Sequence, residues 1–190
     1  MHTNEPTPSG SRKRIGVFCS ANDNIGQNFF DRTRELGEWI GRNGHALVFG
    51  GTDMGLMDCV AQAVHRTGGQ VIGVVPTLVE ERGRTSRVLD VDIRCDNLSD
   101  RKDLLVGHSD VIIALPGGIG TLDEVFTVAA AATIGYHRKQ VLLYNVDHFW
   151  DSLVALLDDL DRRGVMRGDY RRYILPVCSL DEIARCVDGL

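Results

Sequence analysis

Short aliphatic runs alternate with longer amphipathic segments along nearly the whole chain, and this alternation constrains the fold more than any other feature. The runs are 14–20 (RIGVFCS), 45–51 (HALVFGG), 70–76 (QVIGVVP), 110–116 (DVIIALP) and 140–146 (QVLLYNV), with a further strand expected near 88–94 and a short edge strand at 173–178. They are apolar throughout rather than at every second residue, which marks strands covered on both faces. Segments 25–43, 55–69, 98–109, 122–135, 149–164 and 179–188 read as helices; in the first, Phe29, Phe30, Leu36, Trp39 and Ile40 recur at helical spacing. Gly44 and the Gly68-Gly69 pair stand where helices stop. Residues 77–92 are charged and aperiodic and read as a mobile loop. Strands alternating with helices predict an α/β fold: a Rossmann-type doubly wound parallel sheet with helices on both faces.

Composition narrows the function classes. At 190 residues, 43% of them apolar, the chain is long enough to bury a full core. We expect a flexible tail over 1–13, rich in Pro, Ser and Gly, and a single nucleotide-binding catalytic domain over 14–190. A net charge of −5 argues against a dedicated nucleic-acid or acidic-membrane binder. The five cysteines are scattered without a C-x-x-C pair, and no two histidines take zinc-site spacing. Neither a disulfide framework nor a metal site is expected, and reduced thiols suit a cytoplasmic protein. No apolar stretch is long enough for a membrane span.

The segment LPGGIGTLDE, 115–124, follows the most aliphatic strand and places Gly117, Gly118 and Gly120 ahead of Asp123 and Glu124. In doubly wound folds ligands bind beyond the carboxyl ends of the strands, where Gly50-Gly51 and Ser20-Ala21 also fall. A dinucleotide fingerprint fails, because Asp123 stands where its third glycine belongs, and no phosphate loop of the G-x-x-x-x-G-K-[ST] type occurs. A short glycine turn opening a helix near Thr121 suits one phosphate, held by the free N–H groups of the first turn. Thr121-x-x-Glu124 is also a capping box, so on spacing alone Glu124 is equally a cap or a catalyst. Asp123 fits a partner of the helix dipole. By themselves Arg101 and Lys102 read as surface residues, Arg101 paired with Asp100 or Asp103.

Three motifs together resemble the LONELY GUY (LOG) family, once described as lysine decarboxylases. They are P-G-G-x-G-T-x-x-E at Pro116–Glu124, the glycine loop with Gly-Leu-Met at 50–57, and the pair Arg101-Lys102. The segment 134–153 adds to the likeness, which covers roughly 14–188. The resemblance implies a metal-independent phosphoribohydrolase without a cofactor. Such an enzyme hydrolyses the N-glycosidic bond of cytokinin nucleoside 5′-monophosphates, and often AMP, to free base and ribose 5-phosphate. It also implies a homodimer or higher homo-oligomer with the site close to the subunit interface. By motif, Arg101 and Glu124 fall on the catalytic pair. Lys102, Gly117, Gly118, Gly120 and Thr121 fall on substrate-binding positions, to which we add Asp123, Gly50 and Gly51. An acidic residue after the third strand binds substrate in relatives; Glu81, or its neighbour Glu80, is the candidate here.

The chain departs from the family pattern at Leu98-Ser99-Asp100, where Met-His usually precedes Arg-Lys, and at Thr52 and Asp58, which replace glycines. These changes spare the Arg/Glu pair and bear on the choice of base. The alternative class is a non-catalytic nucleotide or molybdenum-cofactor carrier, similar in fold and glycine loops but with no need of a catalytic carboxylate.

Overall fold

The computed structural model describes residues 12–190. Its strands are β1 (Arg14–Phe18), β2 (Ala46–Phe49), β3 (Gln70–Pro76), β4 (Val91–Cys95), β5 (Val111–Ala114), β6 (Val141–Tyr144) and β7 (Ile174–Val177). Its helices are α1 (Gln27–Arg42), α2 (Gly55–Arg66), α3 (Thr77–Glu81), α4 (Leu98–His108), α5 (Ile119–Thr133), α6 (Asp151–Arg162) and α7 (Leu180–Asp188). The strands form one seven-stranded parallel sheet in the order β4-β3-β2-β1-β5-β6-β7. This is the expected Rossmann-type doubly wound architecture.

Alternate residues of each strand feed two cores, because successive side chains point to opposite faces. Ile15 and Val17 of β1 join Leu36 and Ile40 of α1, Val60 and Val64 of α2, and Ile183 of α7. Phe18 joins Leu105 of α4, Val125 and Val128 of α5, and Leu157 of α6. The continuous apolar runs in the sequence are therefore two interleaved half-patterns. On the first face α1 and α2 approach closely over Gly37, where a Cβ would lie 2.6 Å from Ala63 Cβ and 2.9 Å from the Val60 carbonyl oxygen.

Two expectations are corrected. The segment 77–92 is not one mobile loop: it opens with α3, and its later part is pinned to the β2–α2 loop. Asp53 N–H donates to the Arg84 carbonyl at 2.9 Å, Ser86 N–H donates to the Gly51 carbonyl at 2.8 Å, and Thr52 bridges Thr85. These partners are distant in sequence, so local periodicity carries no trace of them. The helix expected over 122–135 begins at Ile119, with Gly118 as its N-cap. Thr121 is thus inside the helix and caps nothing. The tail expected over 1–13 lies outside the described residues as far as residue 11. Arg12 and Lys13 are already tied to the sheet, Arg12 Nη2 donating to Gln70 Oε1 at 2.7 Å and Lys13 N–H to His45 Nδ1 at 3.2 Å.

Candidate active site

The chain winds outward from β1 to β4, then crosses back to place β5 on the other side of β1. The loops leaving β1 and β5 must diverge there, which opens a crevice at their carboxyl ends. A cavity of about 490 Å³ occupies this place, within the range of small-molecule sites. Its wall combines Cys19–Asn22 after β1, Met54 and Met57 around the start of α2, Arg101 of α4, and Gly118, Gly120, Thr121 and Glu124 of α5. Ser20 N–H donates to the Pro116 carbonyl at 3.0 Å and joins the two loops.

Two helices point their N-termini toward this crevice, and only one is free to hold an anion. At α2, Gly55 N–H donates to the Asp23 carboxylate at 2.8 Å, and Leu56 N–H to the Ser20 carbonyl at 2.9 Å. A carboxylate of the chain thus satisfies that helix end. Gly55 is required there: its φ is +57°, and a Cβ would lie 2.5 Å from the Ala21 carbonyl carbon. At α5 the N-cap Gly118 has no side chain to offer, and the first helical bond is Leu122 N–H to the Gly118 carbonyl at 3.0 Å. The N–H groups ahead of Leu122 are left for an anion, with the helix dipole behind them. Gly118 and Gly120 line the cavity, and a Cβ on either would meet nothing within 4 Å. That open space is what a phosphate needs to reach the backbone.

Four residues beyond Gly120, Glu124 stands one helical turn deeper. Its Oε1 accepts from Arg101 Nη1 at 3.1 Å, and its side chain is only 6% exposed. Burial pushes the Glu124 carboxyl up to about 7, against the opposing pull of Arg101. Asp123 adds to the rise and Lys102 lessens it. The group therefore exchanges its proton near neutral pH, the range useful to an acid or base. Arg101 is placed by an N-cap: Asn97 Oδ1 accepts from Ser99 and Asp100 N–H at 2.9 and 3.0 Å, which starts α4 three residues before the arginine. The buried Nε of Arg101 has no hydrogen-bond partner among the described residues.

The reading of Arg101 as a surface residue paired with Asp100 or Asp103 is corrected, since its partner is Glu124 across two helices. The capping reading of Glu124 is corrected for the same reason. Lys102 and Asp123 form a second, outer pair, with Lys102 Nζ 2.9 Å from both carboxylate oxygens. Asp123 thus answers a lysine rather than the helix dipole, whose first turn holds no acid. Of the residues carried over by motif, Arg101, Glu124, Gly118, Gly120 and Thr121 meet at the cavity, while Lys102, Asp123, Gly117, Gly50 and Gly51 lie beside or behind its wall. Glu81 is exposed on α3 and Glu80 pairs with Arg94 at 2.7 Å; neither reaches the cavity of this chain.

Ser20 and Ala21 line the cavity, as their place at the ligand edge of the sheet suggests, and so do Cys19, Asn22, Met54 and Met57, which the sequence does not mark individually. The signal for the first four was topological: they follow the strand at which the sheet reverses. Cys19 is no nucleophile, because burial and the neighbouring Glu124 charge hold its thiol well above the usual range. A second cavity of about 410 Å³ at the amino ends of β5 and β6 is lined by Asp110, His137, Arg138, Lys139 and Arg172. Lys139 there donates to the Val106 carbonyl in the last turn of α4, so it answers a helix C-terminus.

Residues 57–187 match the family model described as "Possible lysine decarboxylase". The chain is 34% identical over 186 residues to the cytokinin riboside 5′-monophosphate phosphoribohydrolase LOG4 of Arabidopsis thaliana, spanning 97% of this chain and 86% of that one. To the cytokinin riboside 5′-monophosphate phosphoribohydrolase LOG of Oryza sativa subsp. japonica it is 35% identical over 171 residues, spanning 90% and 71%. Among solved structures, the molybdenum cofactor carrier protein of Chlamydomonas reinhardtii superposes with a TM-score of 0.72 over 94% of this chain and 97% of that one. At 22% identity that likeness concerns the fold alone.

Proposed function

Because this chain belongs to the LOG family of cytokinin riboside 5′-monophosphate phosphoribohydrolases, we propose that it hydrolyses the N-glycosidic bond of adenosine 5′-monophosphates, plain or N6-substituted. The products are the free base and ribose 5-phosphate. One observation carries the reading: the buried Glu124, paired with the half-buried Arg101, sits one helical turn behind an uncapped helix N-terminus, at the reversal point of the sheet. The 5′-phosphate takes the N–H groups at the start of α5, and the ribose then falls beside Glu124. As the bond from C1′ to the base nitrogen breaks, its electron pair leaves with the base and the sugar becomes oxocarbenium-like. The Glu124 carboxylate stabilises that cation, and water adds its hydroxyl to C1′ while its proton balances the departing base. Arg101 stays a cation at any working pH, so it donates hydrogen bonds to the leaving base or the phosphate rather than a proton.

Lysine decarboxylation does not suit these residues. The chain has three lysines, Lys13, Lys102 and Lys139, and none lines the cavity. The test is a base-release assay of the purified protein over AMP, N6-substituted AMP and other nucleoside 5′-monophosphates. Release of adenine or its N6-substituted form with ribose 5-phosphate is expected. Binding of AMP with no cleavage of any nucleotide would give the carrier reading its place.

The reading takes 14–190 as one catalytic domain, supported by the single sheet from β1 to β7. It takes the location as cytoplasmic, supported by five free cysteines. No helix among the described residues is long and apolar enough to cross a membrane. The reading also includes a homodimer closed over α5. Beyond the side of α5 packed on the sheet, Ile119, Phe126, Ala130 and Ile134 are exposed, Ile119 at 86%. A helix apolar on both sides is a buried helix, and this one begins at the phosphate socket, so a second copy would cover the site's edge. Phe126→Glu is expected to convert a dimer to monomers in light scattering, costing about 2 kcal/mol or more of association. A wild type that is monomeric at micromolar concentration would refute the dimer.

A further inference from the structure

We propose that Gly50 is a positioning residue: the space left by its missing side chain is the seat that holds the Arg101 guanidinium against Glu124. The inference rests on the reading of Arg101 and Glu124 as the reacting pair. A Cβ on Gly50 would lie 1.9 Å from Arg101 Nη2, 3.2 Å from Arg101 Cζ and 3.2 Å from Met57 Sδ. Nη2 also donates to the Gly50 carbonyl at 3.5 Å, while Nη1 of the same planar group reaches Glu124 at 3.1 Å. The guanidinium therefore points Nη2 end-on into the space beside Gly50, with the Met57 sulfur next to that space.

The neighbours of that space set Gly50 apart from the other glycines of its loop. Gly51 has a φ of +73° and Gly55 one of +57°, so both need glycine for backbone reasons, whereas Gly50 has no left-handed φ. The three atoms nearest to a Gly50 Cβ all belong to the far ends of flexible side chains, Arg101 and Met57. An alanine there is cheap for the fold and ruinous for the guanidinium. Non-bonded heavy atoms keep about 3.5 Å apart, so Nη2 must retreat by more than 1 Å. A rigid planar group that moves this far loses its other bond, to Glu124. The rest of the cavity is untouched, including the N–H groups of α5.

The experiment is a cycle of Gly50→Ala, Arg101→Ala and the double variant, each followed by thermal melting, base release from AMP, and titration of Glu124 by carboxyl-carbon NMR. The charged and titratable groups facing Glu124 are Arg101, Lys102, Asp123 and Cys19. Only the first is displaced in Gly50→Ala. We expect Gly50→Ala to melt like the wild type at pH 5, where Glu124 keeps its proton, and lower at pH 8, as Arg101→Ala does; to lose about 100-fold in kcat with little change in KM; and to titrate Glu124 at higher pH, again as Arg101→Ala does. The double variant should be no slower than Arg101→Ala alone.

Wild-type kcat in Gly50→Ala, or a further 100-fold loss in the double variant, would overturn the seat. So would a melting defect in Gly50→Ala at pH 5 that persists once Arg101→Ala has emptied the space, since the glycine would then serve the backbone. Should the wild type cleave no nucleotide, the reaction reading fails. The Glu124 titration still decides the seat: an unchanged value in Gly50→Ala rejects it.

Discussion

Glu124→Gln is expected to abolish nearly all base release, by about 10²- to 10⁴-fold, while leaving the protein folded. The carboxamide keeps the shape of the carboxyl and still accepts from Arg101 Nη1 through its oxygen. What it loses is the negative charge beside the anomeric carbon. Turnover within threefold of wild type would remove Glu124 from the reaction. A second consequence concerns stability. Glu124 is raised from 4.5 to about 7 in the fold, chiefly by burial. Between those values the folded chain keeps a proton that the unfolded chain has released. Stability attributable to this group therefore falls as pH rises through the window, by about 3 kcal/mol in all. In Glu124→Gln that part of the pH dependence should vanish from denaturant titrations at pH 5 and pH 8.

Arg101→Ala is expected to cost about 10²- to 10³-fold in turnover and, unlike Glu124→Gln, to harm the fold more at high pH than at low. The variant leaves a buried carboxylate without its cation. Removing one member of a buried pair costs about 3–5 kcal/mol, because the survivor is left uncompensated. Arg101 lowers the Glu124 value in the wild type, so without it the carboxyl titrates higher. The pH at which residual activity rises should move upward, and the decline of stability, which starts near the unfolded value of 4.5, should continue to higher pH than in the wild type. If the two profiles superimpose on those of the wild type, the contact between Arg101 and Glu124 has no energetic meaning. Lys102→Ala provides the contrast: its partner Asp123 is 54% exposed, and pairs of that kind are worth about 0–1 kcal/mol.

Much of the fold was legible in the chain. The aliphatic runs at 14–20, 45–51, 70–76, 110–116 and 140–146 all hold strands, because a strand buried on both faces tolerates almost nothing else. The weaker expectations at 88–94 and 173–178 correspond to β4 and β7 at the sheet edges. The start of α5 was misplaced. Thr121 and Glu124 have capping-box spacing, but the glycine turn enters the helix at Ile119, and Glu124 answers a residue 23 positions away. The pinning of 84–86 was missed because its partners, Gly51 and Asp53, lie in another loop.

By itself the sequence determined the architecture, the glycine turn that leads into α5, and the identity of the two charged residues most worth testing. Those depend on local patterns: burial of whole strands, glycines without side chains, a motif with fixed spacing. Tertiary structure alone decided which helix end is free. Asp23 reaches 32 residues along the chain to satisfy α2, and no side chain among the described residues caps α5. It also decided that Arg101 turns inward to Glu124 rather than outward to Asp100 or Asp103. Local spacing favours the near acids. Docking of α4 beside α5, over a glycine that leaves room for the guanidinium, favours the distant one, and a cation taken from water into that setting must face a carboxylate there.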